Sequence, residues 1–254
     1  MTGPASMQYR SLAGRSVLIT GGASGIGAEM VRAFVAQGAL VAFFDIDHDA
    51  GMALMSDLPG SRFIACDVTD IAALRTAIGR VQDRHAIEVL INNAAADQRQ
   101  AMDEVDEASW RQALSVNLDH QFFATQEVAR FMASRGAGSV IMMGSIAWMR
   151  GRTGMVGYTT AKAAIHGLTR TLARELGPSG IRVNCIVPGA IRTERQERLW
   201  VGPEANERFI AEQALKFRLE PSHVAAMALF LGSDESAGCS GANFFVDAGL
   251  SVNG

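Results

Sequence analysis

Short, nearly continuous apolar runs alternate along the chain with longer stretches in which apolar residues recur every three or four positions. That rhythm predicts strands alternating with helices in βαβ units. Seven strands are predicted: Ser16–Thr20, Leu40–Asp45, Arg62–Cys66, Val89–Asn92, Ser139–Met143, Arg182–Ile186 and Asn243–Val246. Their lack of polar alternation indicates coverage on both faces, as in a parallel sheet. The clearest helices are Gly25–Gln37, Ile71–Arg84, Glu107–Ser134, Gly157–Leu176 and Pro221–Leu231, ended by breakers such as Gly38, Gly136 and the run Gly177-Pro178-Ser179-Gly180. No repeat, linker or low-complexity tract interrupts this order, so residues 12–254 read as one α/β domain behind a flexible arm at 1–11. The segment from Gly189 to Phe217, rich in Arg, Glu and Gln, breaks the rhythm. It is expected to be a substrate-covering lid; a solvated helical excursion is the alternative.

Residue balance narrows the function classes. Of 254 residues, 48% are hydrophobic and 19% charged, and 23 basic against 26 acidic side chains leave a net charge of −3. The chain is too apolar for a disordered protein and lacks the basic excess of a nucleic-acid binder. Apolar runs such as Ala39 to Phe44 fall far short of the roughly 18 residues of a membrane span. Met1 to Ser11 lacks the apolar block of a signal peptide. Cys66, Cys185 and Cys239 are far apart and without zinc-ligand spacing, so no disulfide framework and no metal site is expected, and a reducing cytoplasm is the expected location. His48, His85, His120, His166 and His223 also lack ligand spacing and read as surface or internally satisfied groups.

Thr20-Gly21-Gly22-Ala23-Ser24-Gly25-Ile26-Gly27 follows the first strand and opens the first helix. Glycines there allow a tight turn, let the backbone approach a pyrophosphate, and aim the helix's free N–H groups at it. The spacing is G-x-x-x-G-x-G on Gly21, Gly25 and Gly27, and a plain strand-to-helix connection is the bland alternative. Asp45 ends the second strand 18 residues after Gly27, where a dinucleotide fold places the carboxylate that binds the adenosine ribose. Its charge repels a 2′-phosphate, and no Lys or Arg falls between Arg32 and Arg62 to attract one. NAD is therefore expected over NADP.

Tyr158 and Lys162 are four residues apart near the start of a predicted helix, hence on one face. A phenol titrates near 10 in water, and a lysine cation beside it favours the phenolate that a general base requires. Ser145 lies thirteen residues upstream, just beyond the fifth strand.

The turn Thr20–Gly27, Asp67 after the third strand, Asn92-Asn93-Ala94 after the fourth, Asn117, Ser145, Tyr158-x-x-x-Lys162 and Pro188-Gly189 stand in a familiar order and spacing. Over essentially its whole length the chain resembles the short-chain dehydrogenases/reductases. The resemblance implies one Rossmann-like, doubly wound parallel sheet with strand order 3-2-1-4-5-6-7, and hydride transfer between a nicotinamide and an alcohol or carbonyl carbon. It further implies Tyr158 as general base and Lys162 as the residue that lowers its pKa and holds the nicotinamide ribose. Ser145 would orient the substrate oxygen, and Asn117 would anchor a water in the proton relay. Gly21, Ser24, Gly25, Ile26, Gly27 and Asp45 would hold the cofactor's adenosine and pyrophosphate, Asp67 and Val68 the adenine, while Asn93 would lie along it and Pro188, Gly189 and Thr193 border the nicotinamide. One departure is Ala95, where the family usually has glycine. Similar proteins pair the helices equivalent to Glu107–Ser134 and Gly157–Leu176, usually as tetramers, and Ala161, Ala163, Ala164 and Leu168 suit such close packing.

For the substrate, Asp97, Gln98 and Arg99, then Trp148, then Arg192, Glu194 and Gln196 surround the expected pocket. A polar rim with one large aromatic suits a sugar better than a steroid or acyl chain. Asp97, Ser145, Trp148, Tyr158 and Gln196 are the expected contacts. Arg192, Arg195 and Arg198, interleaved with Glu194 and Glu197, read as a charge-paired helix face, with an anion site as the alternative. The stretches Asn92–Arg99, Gly144–Trp148, Val187–Trp200 and Ala211–Leu215 resemble bacterial aldose 1-dehydrogenases acting on pentoses such as L-arabinose or D-xylose. That likeness implies oxidation of the C1 hydroxyl to a lactone. The alternatives are a dehydrogenase or reductase of another polar alcohol or ketone, and a nucleotide-sensing binding protein without chemistry.

Overall fold

The apolar runs pair side by side into one seven-stranded, all-parallel sheet. Its order is β3-β2-β1-β4-β5-β6-β7. The strands are β1 Ser16–Thr20, β2 Leu40–Asp45, β3 Arg62–Ala65, β4 Val89–Asn92, β5 Gly138–Met143, β6 Ile181–Pro188 and β7 Asn243–Val246. The helices are α1 Gly25–Ala36, α2 His48–Asp57, α3 Ile71–Gln82, α4 Glu107–Leu114, α5 His120–Arg135, α6 Val156–Leu176, α7 Glu194–Leu199, α8 Pro203–Glu212 and α9 Pro221–Gly232. This computed structural model describes residues 7–199 and 203–251, with the side chains of 198, 199 and 203–206 excepted. Trp200 and the Arg198 side chain lie outside the described residues, as do residues 1–6 of the expected arm.

Strand residues alternate between two cores because successive side chains point to opposite faces. Val17, Ile19, Phe43 and Ile91 join Met30 and Phe34 of α1 and Val224 and Ala228 of α9 on one face. Leu18, Phe44 and Leu90 join Leu74 and Ile78 of α3, Val128 of α5 and Ile165 of α6 on the other. Fully burying each such large side chain stabilises by roughly 1.5–3 kcal/mol. In the register, Ile19 sits between Phe43 and Ile91, so β1 is the strand at which the winding reverses direction. A crevice outside the carboxyl ends of the strands opens at such a switch point. Because all strands run parallel, Gly21, Asp45, Asn93, Ser145 and Gly189 all follow or end strands on that one edge.

Two local features depart from the hydrophobic pattern. The helix expected over Glu107–Ser134 is divided by a π turn at Ser115–Asp119, between α4 and α5. The segment Met7–Ser11 is docked: the Tyr9 N–H donates to Gln37 Oε1 (2.8 Å) and the Ser11 hydroxyl to Glu235 (3.0 Å).

Candidate active site

The glycine turn is shaped by backbone contacts that exclude side chains. Gly21 and Gly25 have φ of +64° and +53°, a region costly for any residue with a Cβ. A Cβ on Gly27 would fall 1.8 Å from the Gly21 carbonyl oxygen, so only glycine lets α1 start against the turn. Asn93 ties the loop from the β4 side, donating from Nδ2 to the carbonyls of Gly21 (2.7 Å) and Thr20 (3.1 Å). The Thr20 hydroxyl accepts from the N–H groups of Asn93 and Ala94. Asn93 therefore braces the turn as well as lining the cleft.

Ser24 is the N-cap of α1 but makes no side-chain cap bond, whereas Asp47, Asp70 and Asp106 each accept backbone N–H bonds at the starts of α2, α3 and α4. The first N–H groups of α1 are thus left for an anion. Asp45 accepts from the N–H groups of Ala23 (2.9 Å) and Asp47 (3.0 Å), which fixes its carboxylate beside the turn with acceptor capacity to spare. Asp67 bonds Thr69, and Val68 is buried below it. A dinucleotide fits this cradle: glycines where a side chain cannot stand, a helix start without a cap, and a carboxylate one strand over.

Across the switch point a cleft of about 200 Å³ is lined by Asn93, Asp97, Ser145, Tyr158, Lys162, Gly189, Thr193 and Gln196, among others. The substitution of Ala95 for glycine is accommodated, because among described residues Ala248 is the one non-glycine with positive φ and Ala95 simply borders the cleft. Lys162 is 1% exposed, donates to the Met143 carbonyl (2.8 Å), and lies over the Tyr158 ring 5.5 Å from its centroid. Burial pushes the Tyr158 phenol up to about 12; a hydrogen bond with Ser145 and the Arg195 cation oppose this, and the Asp97 carboxylate adds to it. Burial also pushes the Lys162 ammonium down to about 8. Burial thus outweighs the Ser145 hydrogen bond and the Arg195 cation, and the phenol sits above its ordinary value and not below it as expected.

Asn117 is buried in the π turn, where its side chain bonds both the N–H and the carbonyl of Ala96 and the carbonyl of Ala113. π turns recur at functional positions because they re-aim one backbone group. The Asn117 carbonyl accepts from Gln121 Nε2 (3.1 Å), whose amide also bonds the N–H and carbonyl of Met143. Gln121 was not among the expected site residues. It braces the same carbonyl that holds Lys162, and its one sequence signal is a glutamine one turn after Asn117.

The rim is narrower than expected: Asp97 and Gln196 line the cleft, whereas Arg99, Arg192 and Glu194 are not among its lining residues and Gln98 lines a neighbouring cavity. Trp148 is not among the cleft-lining residues; its indole N–H donates to His166 Nε2 (3.3 Å), edge-on at 5.1 Å between ring centroids. Arg195 reaches from α7 across the cleft to Asp97 (2.7 Å), and Arg192, just before α7, pairs with Glu197 within it, so the charge pairing is not confined to one helix face. Gln196 accepts from Arg218 (2.7 Å). His120 is likewise not the satisfied histidine expected, being buried with neither ring nitrogen hydrogen-bonded.

Comparison with known proteins accords with this geometry. The family model described as Enoyl-(Acyl carrier protein) reductase matches residues 21–251. D-xylose 1-dehydrogenase of Caulobacter vibrioides is 45% identical over 245 residues, covering 95% of this chain and 97% of that protein. The Rhizobium meliloti protein named Probable galactose dehydrogenase GalD is 44% identical over 256 residues, covering 98% and 100%. A solved structure of a short chain dehydrogenase/reductase family protein superposes with a TM-score of 0.87 at 30% identity, covering 95% of this chain and 99% of that one. Sequence, sheet order and site thus agree: this chain belongs to the short-chain dehydrogenase/reductase family of nicotinamide-dependent oxidoreductases.

Proposed function

We propose that this chain is an NAD-dependent dehydrogenase that oxidises the C1 hydroxyl of an aldose, a pentose or related sugar, to the lactone. What carries the reading is the convergence of Ser145, Tyr158 and Lys162 in one cleft whose rim is built from Asp97, Arg195 and Gln196. A sugar offers hydroxyls on every side, and a carboxylate, a guanidinium and an amide are the groups that bind them. The names of the two relatives, a xylose 1-dehydrogenase and a galactose dehydrogenase, support the same substrate class.

In this reading Gly21, Ser24, Gly25, Ile26 and Gly27 hold the cofactor's pyrophosphate, Asp45 its adenosine ribose, Asp67 and Val68 the adenine, and Pro188, Gly189 and Thr193 the nicotinamide end. When bound, an oxidised nicotinamide supplies the hydride acceptor and the positive charge that favours the phenolate. Tyr158 takes the proton of the C1 hydroxyl. Ser145 donates its hydroxyl to the same oxygen and holds it in place, and Lys162 stabilises the phenolate through its charge. Asp45 accepts the ribose hydroxyls and repels a 2′-phosphate, which favours NAD. The reading includes a homotetramer in the cytoplasm, supported by the small residues Ala163 and Ala164 that α6 keeps at or near its surface. Light scattering that finds a stable monomer would contradict the assembly.

The test is an NADH-absorbance screen of pentoses, 6-deoxyhexoses and hexoses against acyl and cyclic alcohols. Lactone formation from an aldose is expected, and Tyr158→Phe is expected to lose about a hundredfold or more in turnover while still binding cofactor. Activity confined to apolar alcohols, or near-normal turnover of the Phe variant, would overturn the assignment.

A further inference from the structure

The segment around Arg218 runs beside the stretch that follows β6, tied to it by an isolated parallel bridge between Ile191 and Leu219 and by the Arg192 N–H, which donates to the Leu219 carbonyl (2.7 Å). Ile191 and Leu219 are both buried, so the Arg218 backbone is fixed next to the start of α7. The Arg218 side chain is half-buried, and its guanidinium lies over the buried ring of Phe209 on α8, 4.9 Å from the centroid. Nε and Nη1 are sealed without a hydrogen-bond partner, and an aromatic face takes the place of an oxygen there. Nη2 donates to Gln196 Oε1 at 2.7 Å. Among the described residues that is the one hydrogen bond the guanidinium makes.

The consequence falls on Gln196. An arginine carries donors and no acceptor, so only the oxygen end of an amide can meet it. Gln196 lines the substrate cleft, and its amide nitrogen has no hydrogen-bond partner among the described residues. With Oε1 held by Arg218, the nitrogen and its two donors are the end left for a ligand. A glutamine free to turn would offer either end and would lose that freedom on binding. Asp97 on the same rim is the converse: it accepts from Arg195, and an ionised carboxylate offers a ligand acceptors only. The rim thus has a fixed polarity, acceptor at Asp97 and donor at Gln196.

We propose that Arg218 is a positioning residue for substrate selection: by holding Gln196 Oε1 it makes Gln196 a donor, and only a donor, to one oxygen of the bound substrate. Arg218 does not itself line the cleft and acts through the amide. A guanidinium keeps its charge across the working pH range, so the hold does not depend on titration. A substrate with a hydroxyl or ring oxygen at this point is favoured, and one with a C–H there leaves the amide donors unpaired. This rests on the reading of the cleft as the site of a polyhydroxylated substrate.

The test is a double-variant cycle on Gln196→Ala and Arg218→Met, the methionine keeping an unbranched stem against Phe209. With the aldose found in the screen, each single variant is expected to raise substrate KM about fivefold or more, with kcat changed by less. The two together should do no more harm than Gln196→Ala alone, because Arg218 has no route to the substrate except this amide. Gln196→Glu keeps an acceptor for Arg218 but lacks the donors, and it should raise KM as Gln196→Ala does. Effects that multiply in the double variant overturn the proposal and leave the aldose reading standing; so does a Gln196→Glu variant with unaltered KM. A readout independent of turnover is the order parameter of the Gln196 side-chain amide in the substrate-free protein, by nitrogen NMR assigned through Gln196→Glu. A rigid amide, about 0.8, that loosens below about 0.6 in Arg218→Met supports the hold, and an amide of the same mobility in both overturns it. Should every aldose prove inert while the amide shows this loosening, the aldose reading falls and the Arg218–Gln196 assignment stands.

Discussion

The two halves of the site are held by different forces. The nucleotide half is fixed by backbone: positive φ at Gly21 and Gly25, no room for a Cβ at Gly27, and Asn93 bonded to two carbonyls of the turn. The substrate half is held largely by side chains at the surface. Its principal tie across the cleft joins Arg195 and Asp97, whose side chains are 60% and 32% exposed. An exposed pair of that kind contributes about 1 kcal/mol or less and is screened by salt. The contrast teaches that a fold of this design can keep one cofactor site rigid while its substrate rim changes by exchange of a few exposed groups.

The comparison breaks most visibly at Gly27. Gly27→Ala drives a Cβ into the Gly21 carbonyl, and a stability loss of about 3 kcal/mol or more, with cofactor affinity down about a hundredfold, is expected from calorimetry and cofactor titration. A variant that melts and binds as before would mean that the turn is softer than its contacts indicate. Gln121→Leu ranks next, since it removes partners from the Asn117 carbonyl and from both backbone groups of Met143. Urea unfolding should register a loss of about 2–4 kcal/mol, the cost of leaving buried polar groups unpaired. A loss below about 1 kcal/mol would remove Gln121 from the brace.

Asp45→Ala sharpens the nucleotide side. Its carboxylate accepts from Ala23 and Asp47, and its removal should raise the NADP-to-NAD ratio of kcat/KM by about tenfold by relieving repulsion of the 2′-phosphate. Steady-state kinetics with both cofactors decides this, and an unmodified protein already preferring NADP would refute it. The smallest effect belongs to the rim. Arg195→Ala should change stability by less than about 1 kcal/mol while raising substrate KM a few-fold. Added salt should weaken the unmodified protein's binding toward the variant's. A large stability loss on Arg195→Ala would place this pair with the structural ties.

Much of the fold was legible in the chain because it rests on local patterns. Strand runs, breakers and the switch of period marked each strand to within two residues, and the glycine turn and the Tyr158–Lys162 pair needed only adjacency and the helical repeat. The helix over Asn117 reads as continuous in sequence, since a π turn differs from an α turn by one shifted hydrogen bond that hydrophobic spacing does not encode. α2 carries a weak signal as well, with Gly51 inside it because a Cβ there would strike Phe63, a residue of the neighbouring strand.

What the chain determined by itself is the set of groups whose partners lie within a few residues: the strand and helix runs, the glycine turn and the Tyr158–Lys162 pair. The tertiary structure decided everything that depends on who faces whom across distant segments. Trp148 and the histidines are the clearest cases. An indole just after Ser145 turned to His166 on α6, and a histidine indistinguishable by composition from the other four was sealed in the interior with neither ring nitrogen hydrogen-bonded. Asp97 found its cation 98 positions away, on α7. Such pairings arise only when the sheet brings its carboxyl ends to one edge, because burial and charge act through space and carry no mark in the order of the residues.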